Sequence, residues 1–117
     1  MSGRTQLIAM ATAVALACLP TARAAAAAAF LTGNELQSFC DANDARVAAC
    51  VAYVAAIFEV MHSNPINGRS ACLPPGVLVG QAVGVVKRWL DQHPEQRQLG
   101  AAGLVAQALS EAFPCRA

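Results

Sequence analysis

The sequence predicts a small all-α domain, a disulfide-stapled bundle of about four helices. Three observations carry this. Apolar residues recur every three or four positions in four separate stretches. No stretch holds the period-two alternation of a strand for long enough, and Val77-Leu78-Val79 is the only weak candidate. Four cysteines remain in the part of the chain that follows an export signal.

The export signal comes first. Arg4 supplies a positive start, and Leu7 to Leu19 is an apolar run broken only by Thr12. Pro20 ends the run, and Ala22-Arg23-Ala24 forms an A-x-A cleavage site. A transmembrane helix needs about 20 apolar residues, and this run is shorter. Two alternatives stand beside cleavage: an anchor that stays attached, and a lipoprotein signal ending at Cys18. The latter fits poorly because Ala15 stands where Leu or Val is expected. The expected organisation is a signal peptide over 1–24, an Ala-rich flexible leader over 25–31 and a helical domain over 32–117. Short isolated helices are marginal in water, so the alanine run of the leader is expected to fray.

Cleavage after Ala24 leaves about 93 of the 117 residues, with 6 basic and 7 acidic side chains. No basic stripe is present, so nucleic acid and, after signal cleavage, a membrane are not expected partners. The expected compartment is the periplasm. Cys40, Cys50, Cys72 and Cys115 are an even set in an exported chain, which reads as two disulfides with three possible connectivities. A zinc site is the competing reading, but no C-x-x-C pair exists.

Thr32-Gly33-Asn34-Glu35 is a capping box, and Leu36, Phe39 and Cys40 share one face of the helix it starts. Asp44 is the expected N-cap of a second, longer helix. Its Val47, Val51, Val54, Phe58 and Met61 recur at helical spacing, and almost nothing polar interrupts Ala48 to Phe58. That helix is therefore expected to be central and buried on most sides, ending near His62-Ser63. Asn64 to Gly76 is irregular, broken by Pro65, Gly68, Pro74, Pro75 and Gly76. A third helix is expected from about Val77 to Gln92, with Leu78, Ala82, Val85, Val86, Trp89 and Leu90 inward. Pro94 suits the first turn of a fourth, supported by Glu95, with Leu99, Ala102, Val105, Ala106, Leu109 and Phe113 as its stripe. Pro114 ends it, and mostly short connections suggest an antiparallel bundle.

Catalysis needs a nucleophile, a base or a metal. His62 and His93 are the only histidines, and both sit at helix boundaries. No H-x-x-x-H spacing, G-x-S-x-G, phosphate loop or close acid pair is present, and caps account for Asp41 and Asp44. Tyr53 and Trp89 fall on helical stripes and read as core. The chain is expected to be a binding or structural module with no catalytic residue, cofactor or metal.

The order of motifs says more. Gly33-Asn34-Glu35-Leu36 and Phe39-Cys40 are followed by Cys50-Val51-Ala52-Tyr53-Val54. Next come Cys72-Leu73-Pro74-Pro75-Gly76-Val77, Trp89-Leu90, His93-Pro94-Glu95 and a terminal Ala108 to Cys115. From Gly33 to Cys115 this resembles the Rap/Tai family of immunity proteins. Two departures stand out: Ala52 and Ala56 replace frequent family glycines, and Asn64 to Ala71 matches no family pattern. The resemblance implies a periplasmic immunity protein that binds and inhibits a peptidoglycan amidase effector of type VI secretion, and it implies a homodimer. The alternative is a periplasmic helical chaperone or stress protein, against which the 13% charged content counts.

In an up-down bundle, Cys40 and Cys50 fall at one end and Cys72 and Cys115 at the other, so the expected bridges are Cys40–Cys50 and Cys72–Cys115. The helical stripes are needed for the core, which leaves His62 to Ser70 as the one long, polar, irregular segment. Its His62, Asn64, Asn67, Arg69 and Ser70 are the expected partner-binding residues.

Overall fold

The computed structural model describes residues 30–116. The expected signal peptide (residues 1–24) and residues 25–29 of the expected leader lie outside them. Four helices follow in order: α1 (Gly33–Cys40), α2 (Arg46–Ser63), α3 (Val79–Gln92) and α4 (Ala101–Ala112). The described residues contain no strand, only isolated bridges at Thr32–Gly100 and Ile66–Arg69.

Helix α1 starts as its sequence dictates. The Thr32 hydroxyl accepts from the Glu35 amide at 3.3 Å, and the Glu35 carboxylate accepts from the Thr32 amide at 2.8 Å. These two bonds satisfy amides that a helix start leaves bare. Leu36 and Cys40 are buried on its inner face. Leu31, expected at the end of the leader, is half-buried against the core, and its carbonyl accepts from the Ala101 amide at 2.8 Å.

Helix α2 packs against all three other helices. Asp44 does not occupy the N-cap, which falls on Ala45. Its carboxylate instead accepts from the Arg46 amide at 3.0 Å and pairs with the Arg46 guanidinium. The expectation that α2 is buried on most sides does not hold. Cys50, Val54 and Met61 are buried, while Val47, Val51 and Val60 are 38%, 40% and 48% exposed. The other helices cover only one side of α2, and the alanines at 48, 52 and 56 lie exposed.

Helix α3 starts two residues later than expected, because Pro74-Pro75-Gly76 makes a turn first. Gly76 has φ +87°, and the Val77 amide donates to the Pro74 carbonyl at 3.3 Å. Pro at the second position and a left-handed Gly at the third suit a type II turn. Leu78 then precedes the helix, and its amide is capped by the Gln81 side chain at 2.8 Å. Leu78 is 69% exposed and Val85 half-buried, while Ala82, Val86, Trp89 and Leu90 are buried.

The fourth helix departs most from its sequence expectation. Pro94–Gln96 is a separate 3-10 turn, and α4 begins only at Ala101 with Gly100 as its N-cap. The chain between them runs beside residues 31–34. The Gly33 amide donates to the Leu99 carbonyl at 2.9 Å, and the Asn34 amide to the Arg97 carbonyl at 2.8 Å. Cross-chain pairing outweighs the local preference to continue a helix after Pro94. The buried stripe is accordingly Ala101, Leu104, Val105, Ala106, Ala108 and Leu109, and Leu99 is 51% exposed.

Two disulfides close the bundle. Cys40 joins Cys50 across the α1–α2 turn, and Cys72 joins Cys115, 43 positions on in sequence. On the chain-entropy account, the longer bridge contributes about 4 kcal/mol and the shorter about 3 kcal/mol. A core of this size benefits from both.

Gly33 is the tightest point. A Cβ there would lie 2.5 Å from Leu104 Cδ1 and 2.9 Å from the Arg97 carbonyl oxygen. The second clash is with backbone, which cannot step aside alone. Gly33→Ala is expected to cost about 2 kcal/mol and to lower the melting temperature by roughly 10 °C. At Gly84, inside α3, a Cβ meets nothing within 4 Å. Gly84→Ala is expected to stabilise by about 0.5–1 kcal/mol. Thermal melts that rank the two the other way would refute this account of the packing.

Candidate functional site

The segment between α2 and α3 contains a tight hairpin turn. Asn67 has φ +51° and Gly68 φ +73°, and Ile66 and Arg69 exchange both backbone hydrogen bonds at 3.0 and 2.9 Å. Two central residues with positive φ make a type I′ turn, for which Asn-Gly is the preferred pair. The dipeptide was visible in the sequence as a turn signal, but its consequence was not: it fixes which of its neighbours look outward.

The turn is held from both sides. Ile66 packs against the core, Ala71 is buried, and the Cys72 amide donates to the Phe113 carbonyl at 2.8 Å beside the Cys72–Cys115 bridge. The loop is therefore mounted on the scaffold, which limits the entropy lost on binding.

All five sequence-predicted contact residues are exposed, but they do not form one constellation. Asn67 and Arg69 line a groove of about 500 Å³. His62, Asn64 and Ser70 line a separate shallow hollow of about 200 Å³ beside Cys72 and Cys115. The turn itself splits them.

The groove is built mostly from residues that the sequence did not single out. Its floor is the first turn of α4, where Ala101, Ala102 and Gly103 present little side chain. Gly103 matters for a specific reason: a Cβ there would lie 2.9 Å from Asn67 Nδ2, so the glycine lets the hairpin lie close over α4. Tyr53 of α2 forms one wall, and burial pushes its phenol above the usual range, opposed by the Ala102 backbone. Phe30 and Leu99 line the rim, 87% and 51% exposed. Helical periodicity placed Tyr53 and Leu99 in the core. Only the break before α4 and the position of the hairpin bring them to the surface together.

A polar chain runs from the groove along α4. Gln107 lines the groove and donates to Glu111 at 3.0 Å, and Glu111 also accepts from the Trp89 indole N–H at 2.8 Å. His93 stacks on Trp89 with ring centroids 4.0 Å apart, and its Nδ1 donates to the Trp89 carbonyl at 2.7 Å. The Gln107 hydrogen bond holds the Glu111 carboxyl below its ordinary value of 4.5. The Trp89 bond and the charges of His93 and Arg69 act in the same direction, while partial burial opposes them.

These side chains are committed to structure. Cys40, Cys50, Cys72 and Cys115 are all in disulfides, and His93 is tied to Trp89. Among the described residues, no group of three His, Cys, Asp or Glu side chains could hold a metal ion. Such an arrangement can present a rigid surface to a partner.

The family model described as Rap1a immunity proteins matches residues 32–115. Its bounds run from the Thr32 cap to the Cys115 bridge, so it takes in every element described above. No curated protein matches the chain.

Glu111 sets a pH dependence. A carboxyl whose folded pKa lies below its unfolded value stabilises the fold above the unfolded value, about 4.5, and loses that contribution as pH falls through the folded one. Glu111→Gln is therefore expected to melt below the unmodified chain at neutral pH, with the gap closing as pH falls below 4.5. A gap that stays constant over that window would show that the carboxylate's charge is irrelevant to stability.

Proposed function

The chain belongs to the Rap1a immunity protein family, and from that premise we propose that it protects its cell against a peptidoglycan amidase delivered by type VI secretion. The family is one of immunity proteins and not of catalysts, so the chain is not an enzyme and acts by binding a cognate effector. The amidase as target, the periplasm as compartment and the signal over residues 1–24 are part of the proposal. Amidases of this kind attack the cell wall outside the inner membrane. A protector must reach that space and survive there, which suits an export signal and two disulfides.

The observation that carries the reading is the Ile66–Arg69 hairpin. It is polar, exposed and fixed at both ends. Its Asn67 and Arg69 supply hydrogen-bond donors, and Arg is enriched at binding hot spots. Inhibition then needs no chemistry, only a rigid projection that covers the enzyme's cleft.

The test combines purified protein with cells. The mature chain is expected to bind and inhibit the amidase encoded beside its gene, and full-length chain to protect cells that export that amidase. A chain lacking residues 1–24 should bind in vitro and fail to protect. Replacing Asn67 with Gly, which keeps the left-handed turn, and Arg69 with Ala should weaken binding at least tenfold with the melting temperature nearly unchanged. Unchanged affinity would put the contact surface elsewhere. No binding by the unmodified chain would remove the amidase reading.

We also propose that the mature chain pairs as a homodimer. Val47, Val51 and Val60 leave α2 with apolar surface that its own bundle does not cover, and such surface favours association. Light scattering at micromolar concentration is expected to give twice the mass of one mature chain; the mass of a single chain would reject it.

A further inference from the structure

We infer that the groove between the hairpin and the first turn of α4 receives an extended segment of the partner in which an apolar side chain adjoins a carboxylate. This deepens the immunity reading and rests on it for the partner's identity. The chain therefore takes a piece of the effector into itself as well as projecting a hairpin toward it.

Charge specifies half of the occupant. Arg69 lines the groove, and among the described residues no Asp or Glu lines it. The ion pairs of the described residues join Arg46 to Asp44 and Lys87 to Asp41, so no carboxylate among the described residues pairs directly with Arg69. Glu111 feels its charge only at a distance. A guanidinium beside an acid-free groove favours an incoming carboxylate, to which it can donate two parallel hydrogen bonds.

Shape and polarity specify the other half. The floor is small: Ala101, Ala102 and Gly103 let a partner backbone approach α4 closely. Phe30 and Leu99 stand exposed at the rim and gain most by covering an apolar side chain. Tyr53 adds a half-buried ring with a polar tip, the kind of group that anchors interfaces. Asn67 remains to meet the segment's backbone amides and carbonyls. About 500 Å³ holds a few side chains, a short segment and not a helix. His62, Asn64 and Ser70 face the other hollow and are not part of this contact.

Two measurements test it. In the first, the mature chain is titrated against the amidase encoded beside its gene. Arg69→Glu and Leu99→Asp are each expected to weaken binding at least thirtyfold, with melting temperatures unchanged. Arg88→Glu, on the far side of α3, should change it less than twofold. Replacing one Asp or Glu of the amidase with Lys should restore affinity to the Arg69→Glu variant. If the hairpin pair Asn67 and Arg69 matters but Leu99→Asp and Arg69→Glu bind as the unmodified chain does, the groove is not used and the inference falls alone.

The second measurement does not depend on the amidase. The peptide acetyl-Asp-Leu-Phe-amide at millimolar concentration is expected to shift the amide resonances of Ala102 and Gly103 and the Arg69 side-chain signal. The Asn counterpart of the peptide should shift them at least tenfold more weakly. Absence of these shifts overturns the inference. It is also overturned if removing residues 25–29 moves the same resonances, since the chain's own leader would then be the occupant, or if Leu99→Asp abolishes a dimer, since a second copy would be.

Discussion

The close approach of Gly33 to the Arg97 backbone sets where the rest of the molecule lies. It brings the chain before α1 against the chain before α4, so that Leu31, Gly33 and Asn34 exchange hydrogen bonds with Ala101, Leu99 and Arg97. Any side chain at position 33 would push these segments apart. Further bonds reinforce the contact: Arg97 donates to the Gln37 side-chain oxygen, and Gln37 donates to Asp91 at 2.6 Å. One backbone contact thus ties α1 to the end of α3 and the start of α4. It also decides where α4 begins, because a residue paired across the chain cannot continue a helix.

Everything at the groove depends on that starting point. With α4 beginning at Ala101, its first turn is bare and small, and Leu99 turns outward. The hairpin then needs a place to lie, and Gly103 provides it under Asn67. The Cys72–Cys115 bridge and the bond from Cys72 to Phe113 hold the hairpin's exit to the end of α4. The hairpin is therefore fastened to α4 at both ends of that helix. Pre-organisation of this kind lets a small surface bind tightly, because little conformational freedom is lost in the complex.

The same economy explains the division of polar side chains. Trp89, His93, Gln107 and Glu111 satisfy one another along α3 and α4 and support the fold. Arg69 and Asn67 form no such pairs among the described residues and lie exposed. A binding protein differs from an enzyme in this way: its polar groups are spent on rigidity, and its unpaired donors lie at the surface. Helix α2 shows the cost of a small bundle. Three neighbours cannot surround 18 residues of mostly apolar helix, so one side of it stays uncovered.

Local chemistry by itself determined the fold class, the α1 capping box and the approximate helices. Each follows from short-range spacing: four periodic stretches and a Thr and Glu three residues apart. The two bridges followed only once an up-down bundle was assumed for those helices. The order of motifs likewise pointed to the family. Only the tertiary structure decided the break before α4, the exposure of Val47, Val51 and Leu99, and the split of His62, Asn64 and Ser70 from Asn67 and Arg69. Those outcomes depend on which backbone lies beside which. Periodicity says that a residue sits on an apolar face, but whether that face is covered depends on the neighbours, and the pairing of residues 31–34 with 97–101 joins segments more than 60 positions apart. No local pattern encodes that contact except Gly33, whose missing side chain acquires its meaning only once Arg97 is in place.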